Sequence, residues 1–135
     1  MNVEGRCHCG AIQFQATVNP QASFICHCFD CQTLSGSAFR LNVSASAEGF
    51  CIIKGCPKKY VKTAESGTRR VHAFCDNCGS PVYSCTIENP EKYTLRVGTL
   101  EQRSEIPRPF RQTWTKRRFQ WLEDFESIPA CEGQM

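Results

Sequence analysis

Seven cysteines in three tight clusters constrain this chain more than any other feature of it: Cys7-His8-Cys9, Cys26-His27-Cys28-Phe29-Asp30-Cys31 and Cys75-Asp76-Asn77-Cys78-Gly79. Thiols so spaced either cross-link in an oxidising compartment or hold metal in a reducing one. The total of 11 cysteines in 135 residues is odd, which fits poorly with a fully paired disulfide framework. The first residues, Met1 to Arg6, are polar and reach Cys7 without the apolar run of a secretory signal. No segment approaches the roughly 18 to 20 consecutive apolar residues of a membrane span. A soluble, cytoplasmic chain that keeps its thiols for metal is the expectation.

Two clusters supply two thiolates each. Cys7 and Cys9, at i and i+2 on an extended segment, send their sulfurs to one face and His8 to the other. Cys75 and Cys78 form a C-x-x-C knuckle with Gly79 behind it, where a tight turn brings two thiolates to one ion. Together they predict a closed, tetrahedral four-cysteine zinc site of structural type, which places the N-terminal strand beside the strand entering Cys75. The middle cluster then leaves Cys26, Cys28 and Cys31 as three ligands for a second zinc ion. Catalytic zinc sites keep a position for water or substrate, whereas structural ones are closed by four protein ligands, so this trio is the candidate catalytic centre. Other partitions of the seven thiols, and closure of the second site by another ligand, stay open at this point. Three thiolates leave about −1 on a dication, which makes the centre a poor activator of water and suits it to holding an incoming thiol as thiolate. The formal charge of +3 is cancelled by about −2 and −1 on two such sites, so it gives no argument for nucleic acid.

Between the clusters the sequence alternates with the period of strands. Ile12, Phe14, Ala16 and Val18 point one way while Gln13, Gln15 and Thr17 point the other. Similar stretches cover 38–43, 49–54, 60–65, 68–74, 82–87 and 93–97, several of them bounded by Gly, Pro, Asn or Ser. The expected fold is all-β, a sandwich, barrel or tent-like pair of sheets of short antiparallel strands, formed by one domain over residues 1–135. Helix is confined to a short turn over 30–34, ended by Ser35-Gly36, and another near 123–127. Pro107 and Pro109 make 101–109 the longest loop.

The combination Cys7-x-Cys9-Gly10, Cys26-His27-Cys28-x-x-Cys31 followed by Ser35-Gly36-Ser37-Ala38-Phe39, Phe74-Cys75-x-x-Cys78-Gly79-Ser80 and Val97-Gly98-Thr99-Leu100 resembles the glutathione-dependent formaldehyde-activating enzyme and centromere protein V family over 4–121. The resemblance implies a β-tent fold, a structural zinc on Cys7, Cys9, Cys75 and Cys78, and a second zinc on Cys26, Cys28 and Cys31. It also implies a carbon-sulfur lyase that handles S-hydroxymethylglutathione, the adduct of glutathione and formaldehyde. Where the family often carries a His-Ile-aromatic run and a later Pro-Trp, this chain has Gln112-Thr113-Trp114 and Gln120-Trp121. The resemblance therefore carries the metal chemistry further than it carries glutathione, and another small thiol fits the same pattern.

His27, between two ligands, is expected to turn away from the metal as a surface or supporting residue. Cys51, Cys56, Cys85 and Cys131 read as buried small hydrophobes without a role. Lys58, Lys59, Lys62, Arg69, Arg70, Arg108, Arg111, Lys116, Arg117 and Arg118 form either a solvated basic face or a rim for the carboxylates of a peptide thiol. Trp114, Phe119 and Trp121 read as core or pocket wall, and Ser35 and Ser37 are candidate donors to a developing alkoxide. The rival to an enzyme is a zinc-stabilised module that binds protein or nucleic acid. No Ser-His-Asp set, phosphate-cradling glycine loop or dinucleotide fingerprint is present.

Overall fold

In the computed structural model, which describes residues 1–134, the alternating stretch after Cys9 becomes strand β2 (Gln13–Val18), with Phe14, Ala16 and Val18 buried. It pairs antiparallel with β1 (Asn2–Arg6). Gly5 stands opposite Phe14, and a Cβ on Gly5 would fall inside the Phe14 ring. The absent side chain is what lets the ring lie across β1 and fill the core there.

The two stretches 38–43 and 49–54 prove to be one strand, β4 (Arg40–Lys54). Its first half pairs with β3 (Phe24–Cys26) and β8 (Lys92–Arg96) and its second half with β2. Between Ala16 and Val18 the register with β4 jumps from Phe50 to Ala45. Gly49 lies in that irregularity, so it marks a bulge that bends the strand, not a strand start. Beyond β8 the sheet continues through β7 (Pro81–Thr86), β6 (Arg69–Phe74) and β5 (Lys58–Thr63), in the order β1-β2-β4-β8-β7-β6-β5. β9 (Arg111–Thr113) lies parallel to β3. The sheet curls until β1 also meets the segment after β8. Glu101 N–H donates to the Glu4 carbonyl at 2.8 Å, and Gln102 Oε1 accepts from the Glu4 N–H at 2.9 Å. The fold is thus all-β and almost wholly antiparallel. The α-helix α1 (Phe29–Ser35) is closed by Gly36 at φ +63°, and short 3₁₀ turns include 120–127. The expected loop at 101–109 holds a further such turn, Arg103–Glu105. No helix of the described residues is long and apolar enough to cross a membrane.

The sheet has two kinds of interior. Val43, Ala45, Val71, Ala73, Tyr83, Cys85 and Leu95 share one face by register and form the apolar core. The opposite face carries Arg40, Asn42, His72, Ser84 and Arg96, all buried except the half-buried His72. There Arg40 Nη1 and Arg96 Nη2 both approach His72 Nδ1, at 3.2 and 3.3 Å, which makes the imidazole a neutral acceptor. Burial, with Arg96 and Arg40 beside it, pushes His72 down to about 3 from its ordinary 6.5.

Two outcomes follow from this packing. Gly5→Ala should destabilise by about 1–3 kcal/mol in urea unfolding, since the Phe14 ring must leave its place in a close-packed core. His72 is depressed in the folded state, so between pH 6.5 and about 3 the unfolded chain binds more protons. The stability that His72 contributes is complete above pH 6.5 and is lost as pH falls through that window. His72→Gln, which keeps an acceptor for the arginines, should show a shallower loss of unfolding free energy over the same range.

Candidate metal centres

Two hairpin turns bring the first set of sulfurs together. Cys7 follows β1 directly, and Gly10, at φ +79°, returns the chain by donating its N–H to the Cys7 carbonyl at 3.1 Å. Cys7-x-Cys9 therefore lies in a turn and not on an extended segment. Cys75 and Cys78 sit in the turn between β6 and β7, where the Gly79 N–H donates to the Cys75 carbonyl at 2.8 Å and Gly79 takes φ +78°. The two turns face each other, and the His8 N–H donates to Ser80 Oγ across them at 3.0 Å. β1 and β6 are not neighbours in the sheet, so the expected strand-beside-strand contact is replaced by turn against turn. All four Sγ atoms lie within 4.8 Å of one another, with Cys7–Cys9 at 3.6 Å and Cys9–Cys75 at 3.7 Å. Tetrahedral zinc with bonds of about 2.3 Å would space its sulfurs about 3.8 Å apart. The donor set suits a soft ion. The sulfurs are tuned apart: the Ser80 hydroxyl draws Cys78 down to about 5, while against the pull of the Cys78 N–H burial holds Cys75 up to about 11, and the Ile12 N–H donates to Cys7 Sγ at 3.2 Å.

The second set comes from one short stretch. Cys26 ends β3, Cys28 caps α1 with its sulfur accepting the Cys31 N–H at 3.3 Å, and Cys31 lies in the first turn of the helix. Their three Sγ atoms also lie within 4.8 Å of one another. Among the described residues no fourth His, Cys, Asp or Glu side chain meets that limit. The Cys31 thiol, followed by the Thr113 hydroxyl and the Cys28 N–H, draws Cys26 down to about 4, and hydrogen bonding to Cys26 with burial holds Cys31 up. One proton shared between two sulfurs is what a metal ion would displace.

Sequence reasoning placed the cysteines and missed much of what surrounds them. His27 does turn from the sulfurs, yet it is 1% exposed, with Nε2 held by Gln112 Oε1 at 2.7 Å. Gln112 and Thr113 stand where the family often has a different run. They form β9 against β3, with the Thr113 hydroxyl on the Ile25 carbonyl at 3.2 Å. Arg40, directly opposite Cys26 across β3 and β4, and Arg96 carry no motif that marks them in the sequence. Two of the ten cations of the expected rim lie against the stretch that bears the trio, each already partnered. Lys62 pairs with Asp30 at 2.9 Å, Arg117 with Glu65 at 2.8 Å, and Arg117 also lies over the Phe29 and Trp114 rings. Ser35 gives its hydroxyl to the carbonyls of Gln32 and Phe39, and Ser37 is exposed. Of the scattered cysteines, Cys85 is buried as expected, while Cys51, Cys56 and Cys131 are exposed. Trp114, Phe119 and Trp121 are exposed too, because the C-terminal segment packs its 3₁₀ turns on the surface without a core to enter.

A solved structure shares this fold. A crystal structure of a Rhodobacter sphaeroides protein superposes with a TM-score of 0.63 at 22% identity, covering 82% of this chain and 99% of that one, which establishes the common fold. A protein of Halomonas elongata, named provisionally as a glutathione-dependent formaldehyde-activating enzyme, is 28% identical over 117 residues, covering 81% of this chain and 71% of the relative. The family profile described as glutathione-dependent formaldehyde-activating enzyme matches residues 2–117, a span that contains all seven clustered cysteines. By that match this chain belongs to the glutathione-dependent formaldehyde-activating enzyme family.

Proposed function

We propose that the chain, as one zinc-binding domain, is a carbon-sulfur lyase or thiol-adduct enzyme acting on S-hydroxymethylglutathione or a related small thiol adduct. Cys26, Cys28 and Cys31 hold its catalytic zinc, and Cys7, Cys9, Cys75 and Cys78 hold a structural one. The observation that carries this reading is the convergence of three sulfurs with no fourth side-chain ligand among the described residues, in a family whose description is glutathione-dependent formaldehyde activation. Zinc at the trio would supply a position for an outside thiol and lower its pKa so that it is nucleophilic at neutral pH.

The reaction is an addition or its reverse. In the synthetic direction the thiol sulfur forms a bond to the carbonyl carbon of formaldehyde, the π pair moves to oxygen, and the thiol proton ends on that oxygen. The chain's own part is to fix the ligands. The Cys31 N–H holds Cys28 Sγ, while Gln32 Nε2 donates to the carbonyls of His27 and Arg117 at 2.9 and 3.0 Å. The stretch that bears the trio is thus tied to the C-terminal segment, and His27 is pinned by Gln112 beneath it.

A second reading is favoured by one observation. The exposed rings of Phe119, Trp121 and Phe125 stack with centroids 6.0 Å apart, next to Lys116 and Arg117 over Trp114. Exposed aromatics beside cations are what a module for protein or nucleic acid would present.

Removing one ligand from each centre separates the two readings. Cys28→Ser should lose one of two zinc equivalents by atomic absorption, stay folded, and lose at least about 100-fold in adduct turnover, as expected when a group that acts only on the reacting thiol is gone. Unchanged turnover would take the second ion out of the chemistry. Cys75→Ser should instead leave the chain unfolded at room temperature, because a structural zinc supplies about 10–16 kcal/mol of apparent binding energy against a net stability of about 5–15 kcal/mol. Circular dichroism would show it.

A further inference from the structure

Two arginines buried side by side without a carboxylate are costly, and here they sit beside the three-cysteine centre. Arg40 is 4% and Arg96 is 6% exposed. Neither forms a salt bridge among the described residues. Their polar contacts are few. Arg96 Nη1 donates to Asn42 Oδ1 at 2.6 Å, and both guanidiniums share the single acceptor of His72. Arg40 Nε and Nη2 and Arg96 Nε are buried with no partner at all. A buried donor left unmade costs about 1–3 kcal/mol, and more when it is charged.

The register explains why these groups lie together. Cys26 is paired with Arg40 and Asn42 with Arg96, and Asn42 follows Arg40 by two positions, so all four side chains share one face of the sheet. Burial and the neighbouring Arg40 charge push Arg96 down to about 9, while Cys31 and Cys26 push it back up. Guanidinium keeps its proton in proteins. The pressure is therefore relieved by negative charge, and the three-thiolate centre with a dication supplies only about −1 against two positive charges. One further negative charge is missing. The same two arginines, with His72, Leu34, Tyr60 and Pro81, line a cavity of about 140 Å³. That is well below the roughly 300–1,000 Å³ of sites that enclose a drug-sized ligand, and it matches the end of a molecule more than a whole tripeptide.

The geometry points to a carboxylate-binding site in the cavity lined by Arg40, Arg96 and His72, so that the thiol substrate of this protein carries a carboxylate seated there while its sulfur faces the three cysteines. The second half of this statement rests on the proposed thiol chemistry; the carboxylate site does not. The paired guanidiniums bring planar forks that fit a carboxylate in two-point fashion, which an ammonium could not reproduce.

Calorimetry on the zinc-loaded protein tests both halves. Acetate, which has no thiol, should bind wild type and Cys28→Ser alike, and its affinity should fall at least tenfold in Arg96→Gln and in Arg40→Gln. 3-Mercaptopropionate should bind wild type at least tenfold more tightly than 2-mercaptoethanol, and Arg96→Gln should abolish that preference while leaving 2-mercaptoethanol unchanged. Should either glutamine variant fail to fold, Arg96→Lys, which keeps the charge and loses the fork, should lower acetate affinity. The melting temperature of wild type should also rise with acetate and not with chloride at equal ionic strength. Absence of acetate binding, or tighter binding of inorganic phosphate than of acetate, would overturn the carboxylate site. Acetate binding without any thiol binding would leave that site standing and remove the thiol chemistry instead. Thiol binding with equal affinity for the charged and neutral thiols would uphold the chemistry and end the substrate assignment.

Discussion

Because β4 pairs with β3 and β8 along its first half and with β2 along its second, the bulge between Ala45 and Phe50 turns the two halves of the sheet toward each other. Nearly everything of interest depends on that bend. The curl it begins brings the β1–β2 turn against the β6–β7 turn, and with them Cys7, Cys9, Cys75 and Cys78. The same strand sets Arg40 across from Cys26 at its start. A flat sheet in the order β1-β2-β4-β8-β7-β6-β5 would put four strands between β1 and β6, about 24 Å at the usual interstrand spacing, and no ion could join them.

The bend also creates an interior on both faces. One face is filled as cores usually are, by Val, Leu, Ala and aromatic side chains, with Phe50, Tyr83 and Tyr93 meeting ring to ring. The other encloses Arg40, Asn42, Ser84 and Arg96, groups whose desolvation the fold must tolerate. Small domains rarely bury two guanidiniums with open donors unless the place has a use, because apolar side chains of similar volume would hold the sheet as well or better. The polar face and the three-cysteine centre adjoin through β3, which binds the cost of one to the chemistry of the other.

How much of this the sequence discloses depends on what each residue's neighbours are. Phe14, Ala16 and Val18 are legible because a period of two with one buried face is what a half-solvated strand requires, and the cysteine clusters are legible because metal binding needs close thiols wherever the chain runs. Arg40 and Asn42 mislead for the same reason that β2 does not. Between Phe39, Leu41 and Val43 they look like the wet side of a strand, and only the curled sheet with α1 near it makes that side dry. β3 and β9, three residues each, have no pattern of their own and exist as strands through their pairing. Gly49 reads as a boundary although the strand runs through it, since a glycine that loosens one pairing looks the same as one that ends it. Trp114, Phe119 and Trp121 read as core or pocket wall by composition, but the C-terminal 3₁₀ turns that carry them leave all three exposed.

The two sulfur clusters differ most in how far along the chain their members lie. Cys9 and Cys75 are 66 positions apart, so bringing them together closes a loop that contains most of the sheet. Cys26 and Cys31 are five apart and are already neighbours once β3 runs into α1. Loop-closure entropy grows with the logarithm of length, which makes the long closure about 2 kcal/mol more demanding than the short one. An ion at the first cluster therefore restrains the whole chain, and its loss releases the contact between the two hairpin turns. An ion at the second restrains one capped turn that the hydrogen bonds of Gln32 and Gln112 hold in place by themselves. Ligand exchange at the second cluster would cost the fold little, and on the proposed reading that separation of tasks would let one small sheet be held by metal at the first cluster and offer metal to a substrate at the second.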